Sequence, residues 1–232
     1  VDSGRIKLTG SQNYTRSLHL GIHERKQREY DRRRDQILES ARRLFQARGF
    51  QGVTLDDIAL DIEFSKGTIY SHFTSKEEIV AQILLEHLHH LLEALRQVDA
   101  TSTDTEDGFR RALEAYLAFY DQHRDYSQLL FFVDMVSNRY RIPKDLLNDI
   151  HRQKVNCLSE LQSILKKSAG PVPAGGSHDF KHLALLLWGM LNGILQLVGA
   201  RQIGRADLDR LVGLGFSVVM NGMPELLNFQ RR

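Results

Sequence analysis

The chain has 232 residues, 42% of them apolar and 26% charged, with a formal net charge of +2 and a single cysteine, Cys157. That length and apolar share suffice for one large or two small domains with cores of their own. One cysteine excludes an intrachain disulfide and a cysteine-based metal cluster, which fits a reducing, cytoplasmic setting, and no apolar run of the length a secretory signal needs precedes Arg25.

All four prolines lie at or beyond Pro143 and helix formers abound, while alternating apolar and polar runs are scarce, so an all-α fold is expected. Residues 1–24 mix Gly, Ser, Thr and Asn without a sustained period and read as a flexible tail. Residues 25–34, R-K-Q-R-E-Y-D-R-R-R, hold six Lys/Arg against two acids, an excess of four positive charges. A positive field is thereby set directly before the stretch that follows, and Arg33 and Arg34 are its candidates for phosphate contact. A first helix is expected from about Tyr30 to Arg48, with Ile37, Ala41, Leu44 and Phe45 inward, ended by Gly49 with Phe50 folding back.

From Thr54 the pattern tightens. Leu55, Ile58, Ala59 and Ile62 repeat at three and four, which predicts a short helix capped by Thr54 with Asp57. Ser65 caps a second short helix, and Ser75 with Glu78 opens a third. Two short helices in such close succession cannot bury a core alone and must pack on neighbours with one face exposed. On the second, Ile69 and Phe73 point inward, leaving Lys66, Gly67, Thr68, Tyr70, Ser71 and His72 to face outward. That set donates to phosphates and base edges and contains no acid. Lys76 stands at the next helix start, where free N–H groups already favour a phosphate oxygen. With the caps Thr54 and Ser65, these residues form the candidate DNA surface.

The segments L-F-Q-A-R-G-F, T-L-D-D-I-A and F-S-K-G-T-I-Y-S-H-F-T-S-K-E-E, all within residues 34–80, resemble the DNA-binding domain of the TetR family of transcriptional regulators. The resemblance covers about a fifth of the chain and is dense and correctly spaced. It implies an N-terminal three-helix helix-turn-helix domain, here 25–75, followed by a larger helical ligand-binding and dimerisation domain, here 76–232, with a connecting helix at about 76–98. The departure is Glu63, where family members usually place Gly in the turn between the two helices. A Glu in left-handed geometry costs on the order of 1 kcal/mol.

Beyond the connecting helix, helices are expected at about Thr105 to Gln122, Tyr126 to Val136 and Pro143 to Lys167, then a loop over 168–177. Two more, about His178 to Arg201 and Ala206 to Leu227, close the chain. The run 183–198 is apolar all round but, at sixteen residues, short of the roughly 20 a membrane span needs; burial in protein, with no membrane partner, is the expectation. A second copy of the last two helices would supply the missing cover, giving a four-helix interface at Gly189, Gly193, Leu195, Leu211, Gly215 and Val218. The family's dimer interface implies the same pair.

Aromatic and polar groups in the middle helices suggest a largely apolar pocket with a few oriented polar atoms, lined by Tyr116, Phe119, Tyr120, Phe131, Met135, Trp188, Asn192 and Gln196. The resemblance implies that such a region encloses a small-molecule effector. His87 with His90, and His178 with His182, have ligand-like helical spacings, yet solvated histidines are expected and no metal or cofactor is assigned. No catalytic residue is assigned either: no nucleophile elbow, phosphate loop or paired-carboxylate motif occurs, and a hydrolase built on His123 and Asp125 has nothing else behind it. The expected function is a cytoplasmic homodimeric regulator on a double-stranded, palindromic DNA operator, acting as a repressor released by a small, largely apolar effector. The other reading is a dimeric DNA-binding regulator without a small-molecule ligand, controlled by a protein partner or by abundance.

Overall fold

The computed structural model describes residues 10–98, 105–136, 142–168 and 180–228. Among these the chain forms nine α-helices and no strand: α1 (Gly10–Arg48), α2 (Leu55–Asp61), α3 (Lys66–His72), α4 (Lys76–Val98), α5 (Thr105–Gln122), α6 (Tyr126–Val136), α7 (Lys144–Ser168), α8 (Phe180–Gly199) and α9 (Arg205–Asn228). They fall into two compact units, Val1–Thr74 and Ser75–Arg232. The loop expected over 168–177 lies outside the described residues beyond Ser168, as does His178.

The first unit corrects one expectation. Helix α1 starts at Gly10, not near Tyr30, so residues 10–24 are helical rather than a flexible tail. Sequence periodicity missed this because residues 23–34 are mostly exposed and carry no apolar stripe. Side-chain pairs one turn apart hold the segment instead. Glu29 accepts from both Arg32 and Arg33, Gln27 donates to Asp31 at 2.9 Å, and Arg32 reaches Gln36. These bonds, from Arg32 first and Arg33 next, hold the Glu29 carboxyl down to about 2.

The caps form as the residue types require. Thr54 is extended, accepts from the Asp57 backbone and has its own N–H bound by the Asp57 carboxylate, a full capping box. Ser65 Oγ accepts from Thr68 N at 3.1 Å and Ser75 Oγ from Glu78 N at 3.1 Å. Helix α1 ends at Gly49, whose φ of 72° lies in the left-handed region and whose N–H reaches Phe45 O. Phe50 then turns back onto Phe45, ring centroids 5.6 Å apart. Asp61 ties α2 to α1, accepting from the buried Ser40 hydroxyl at 2.6 Å and from Arg43 at 2.8 Å.

In the second unit α7 packs on α4, α5 and α8, α4 also on α5 and α6, and α8 on α6 and α9. Leu84, Leu88, Leu91 and Leu95 of α4 and Cys157, Ile164 and Leu165 of α7 are buried in this core. The Cys157 thiol faces Leu88 O, and burial pushes it up to about 12, so it is inert. Helix α8 has twenty residues and is, among the described residues, the one helix long and apolar enough to cross a membrane by length and composition. The sixteen-residue reading was therefore too short, and burial within the protein covers only one side: Leu183, Leu187, Leu191 and Leu195 are buried, while Leu185, Leu186 and Leu197 are exposed.

Backbone geometry gives two substitutions of opposite sign. Glu63, in the turn between α2 and α3, has φ 56°, so Glu63→Gly relieves left-handed strain and raises the unfolding free energy by up to about 1 kcal/mol after the added unfolded-state entropy. At Gly49 a Cβ would meet nothing within 4 Å, so Gly49→Ala lowers stability by about 1 kcal/mol through conformation alone. Urea titration of both variants measures the pair.

Candidate nucleic-acid interface

Helix α3 has seven residues, too few to persist alone, so its orientation is set by what it buries. Ile69 and Phe73 are fully buried, and this turns Lys66, Gly67, Tyr70 and Ser71 to solvent, with Tyr70 55% exposed. Around Gly67 the nearest heavy atom to an added Cβ would be Ser65 Oγ at 3.8 Å, so the backbone there is open to close approach. Thr68 is half-buried and its hydroxyl lies 2.9 Å from Ser65 Oγ; Ser71 Oγ donates to Thr68 O at 2.7 Å. Lys66 forms an exposed ion pair with Asp56 of α2, which raises its pKa.

Three expected contacts are placed differently. His72 is buried, 7% exposed, and not outward: its ring lies 4.2 Å from that of Tyr30 on α1. The reason is position, since residue 72 is three after Ile69 and shares its inward side. Arg34 stacks over the Phe73 ring at 4.4 Å and donates to His72 O, so it braces α3 from α1. Arg33 is paired with Glu29 and stands 6.0 Å from the Phe64 ring. Thr54 and Ser65 are caps first, their hydroxyls engaged as described.

The sequence reading passed over Arg25 and Lys26 as site residues. With Glu29, Tyr30, Arg33, Ser71 and His72 they line a groove of about 620 Å³ between α1 and the end of α3. The signal that could have found them is the length of α1, which carries the basic run alongside the end of α3.

Comparison with known proteins agrees with this arrangement. Residues 37–83 match the family of bacterial regulatory proteins described as the tetR family. The activator FasR of Mycolicibacterium smegmatis is 35% identical over 107 residues, 46% of this chain and 49% of that protein. The repressor KstR2 of the same organism is 28% identical over 114 residues, 48% and 54% of the two chains. The chain thus spans about half the length of these relatives. Among solved structures, the TetR-family regulator PfmR from Thermus thermophilus aligns with a TM-score of 0.63 at 21% identity, over 81% of this chain and 98% of its own, a likeness of fold.

Over residues 37–83, then, the chain matches the TetR family of bacterial regulatory proteins.

The second unit departs from the expected pocket. Tyr116 is buried and donates to Asn192 Oδ1 at 3.0 Å, Asn192 donates to Trp188 O, and the Trp188 ring stands edge-on to Tyr116 at 6.1 Å. Burial raises the Tyr116 pKa. Tyr120 is buried, and the buried Gln196 Oε1 and Tyr126 hydroxyl have no hydrogen-bond partner. Phe119 faces a separate groove between α4 and α5. Phe131 and Met135, expected as lining, are each 57% exposed. Helix α6 is largely apolar, and its polar residues divide between the buried Ser127 and the exposed Gln128 and Asp134, so composition alone did not single out the inward side. The enclosed cavity beside Tyr116 is only about 20 Å³.

The expected interface residues also divide. Gly189, Gly193 and Val218 are exposed, but Leu195 is fully buried in its own protomer. Gly215 serves α8–α9 packing, since a Cβ there would lie 2.5 Å from Met190 Sδ. Leu211 is half-buried. The stripe that is exposed runs instead through Leu185, Leu186 and Leu197 on α8 and Leu214 and Val218 on α9.

His72 gives a pH prediction. Burial, then Arg34 and Arg33, lower its pKa from the ordinary 6.5. A base with a depressed folded pKa contributes stability above the unfolded value, and loses it as pH falls below about 6.5 toward the folded pKa. The thermal midpoint of the first unit therefore drops between about pH 7 and 5, and drops less in His72→Gln, as melting curves across that range will record.

Proposed function

We propose that the chain is a dimeric, sequence-specific DNA-binding regulator that represses from a two-fold symmetric operator and is released by a small, largely apolar effector. The observation that carries this reading is α3, where Lys66, Gly67, Tyr70 and Ser71 face solvent together with no acid among them. An exposed ion pair such as Lys66–Asp56 contributes little, so DNA can take Lys66 from Asp56 at small cost. Lys66 and Ser71 would read base edges, and Tyr70, Lys76, Arg25 and Lys26 would take phosphates.

Assembly rests on the apolar stripe of α8 and α9. Gly189 and Gly193 lie within it, and a Cβ at either would meet nothing within 4 Å. Two such helices from each copy would close a four-helix interface and set two α3 helices on one operator.

Small-molecule pockets run to about 300–1,000 Å³, far above the cavity lined by Leu95, Phe109, Tyr116, Leu187, Leu191 and Phe216. An effector would therefore open this core rather than fill a ready site, with Tyr116, Asn192 and Gln196 as its polar partners. Displacing Leu95 would move α4, a rod of about 35 Å whose first residue follows the last of α3 by four positions in the chain. Linkage then requires effector and operator to weaken each other equally.

Tyr70→Ala and Lys76→Ala are expected to weaken binding to all sequences alike, the lysine change lowering the salt slope by about one, while Lys66→Ala shifts preference among operator variants by about tenfold. Fluorescence anisotropy across salt and sequence separates these. Leu214→Glu, an exposed change in the protomer, converts dimer to monomer in sedimentation at micromolar concentration; a wild-type monomer there would refute the assembly. Once an effector is identified by thermal shift, equal Kd values with and without operator would refute the coupling.

A further inference from the structure

Three histidines meet on the second unit in a way that regulation of DNA binding does not require. His87 and His90 are one turn apart on α4, and His123 joins them from the chain between α5 and α6. One ring nitrogen from each lies within 4.8 Å of the other two. The His87 and His123 ring centroids are 4.5 Å apart, those of His90 and His123 5.1 Å. Sequence spacing exposed the first pair alone; His123, 33 positions on from His90, comes in only through the α4–α5 packing.

His87 was expected to be solvated and is instead 4% exposed. Its Nδ1 makes no hydrogen bond, while Nε2 faces Asp125 Oδ1 at 3.2 Å. A buried imidazole nitrogen left unmet in this way carries a desolvation cost.

We propose that His87, His90 and His123 form a binding site for a divalent transition-metal ion of the zinc class. Three imidazoles with no thiolate suit Zn²⁺ or Co²⁺ over hard cations such as Mg²⁺ or Ca²⁺. At metal–nitrogen bonds of about 2.0–2.1 Å, tetrahedral ligands stand about 3.4 Å apart, so the nitrogens must close by about an ångström or somewhat more, within reach of side-chain rotation at exposed His90 and half-buried His123. Asp125 stands where a carboxylate accepts the remaining ring proton of a metal-bound histidine, which orients the ring and raises its basicity. Beside the site a groove of about 680 Å³, lined in part by Glu93, Arg111 and Phe119, leaves the fourth position open to water or to an exogenous oxygen or nitrogen donor.

The test uses the full chain without a histidine tag, first stripped with chelator. Zn²⁺ is titrated against a chromophoric competitor, and Co²⁺ is followed by visible absorption. One equivalent per chain with the intense bands of tetrahedral Co²⁺ is expected. His90→Ala and His123→Ala each weaken binding at least about tenfold, as does Asp125→Asn. His182→Ala, an exposed histidine on α8, leaves it unchanged. Because His90 is exposed, its variant keeps the fold, checked by circular dichroism, even should changes at His123 disturb packing. Less than one equivalent in the wild type, or undiminished binding in His90→Ala, would overturn the site.

Discussion

A helix of seven residues is held by its surroundings or not at all, and this constraint governs the first unit. The buried side of α3 and its C-cap consists of Ile69, His72 and Phe73, and the last two are held by α1. Tyr30 lies against His72, and Arg34 lies over Phe73 while holding the His72 carbonyl. The outward set is therefore fixed by rotation: once the inner three are placed, Lys66, Gly67, Tyr70 and Ser71 have no other side on which to sit. Residues expected to touch a ligand directly, Arg34 and His72, turn out to aim those that would.

Charge pairing performs for α1 what apolar burial performs for α3. The exposed stretch near Glu29 has no core to face, and its carboxylate accepts from two arginines one turn on. Each pair is weak by itself, but together they extend α1 to carry the basic run alongside the end of α3. Those pairs also occupy part of the positive charge that composition alone would assign to DNA. The strained turn at Glu63 belongs to the same economy of short elements: with φ 56° and no glycine, its cost is borne by the capped helices on either side.

Local chemistry was legible in the sequence, and rotation about helix axes was not. Thr54, Ser65, Ser75 and Gly49 announced helix ends because caps act within four residues. Ile69 and Phe73 announced the inner side of α3 because period and burial agree there. On α6 the exposed Phe131 and Met135 share a side with Gln128 and Asp134, a polar pair too sparse beside the buried Ser127 to mark that side clearly against the buried Val133. Leu195 failed in the same way on α8. His123 joined His87 and His90 through packing between helices, a relation without a spacing rule. Helical period identifies a face only where polar residues mark the opposite one.

That limit bears on α8, whose length and hydropathy satisfy the requirement for a membrane span. A span in lipid needs apolar residues wherever lipid touches, and polar atoms turned toward protein. The protein-facing side of α8 meets the second condition: Asn192 is bonded to Tyr116, and the Leu195 carbonyl accepts from Ser127. The uncovered side, however, is shared with α9, and α9 begins with Arg205, Asp209 and Arg210 exposed, charges that are costly at depth in a bilayer. Two adjacent helices exposing leucines beside glycines that leave room for close backbone approach match a partner of the same shape better than they match acyl chains, which gain nothing from small residues. An interface between copies, as proposed above, would account for the apolar excess of α8, and the copy covering it would bring the second α3 that a two-fold operator needs.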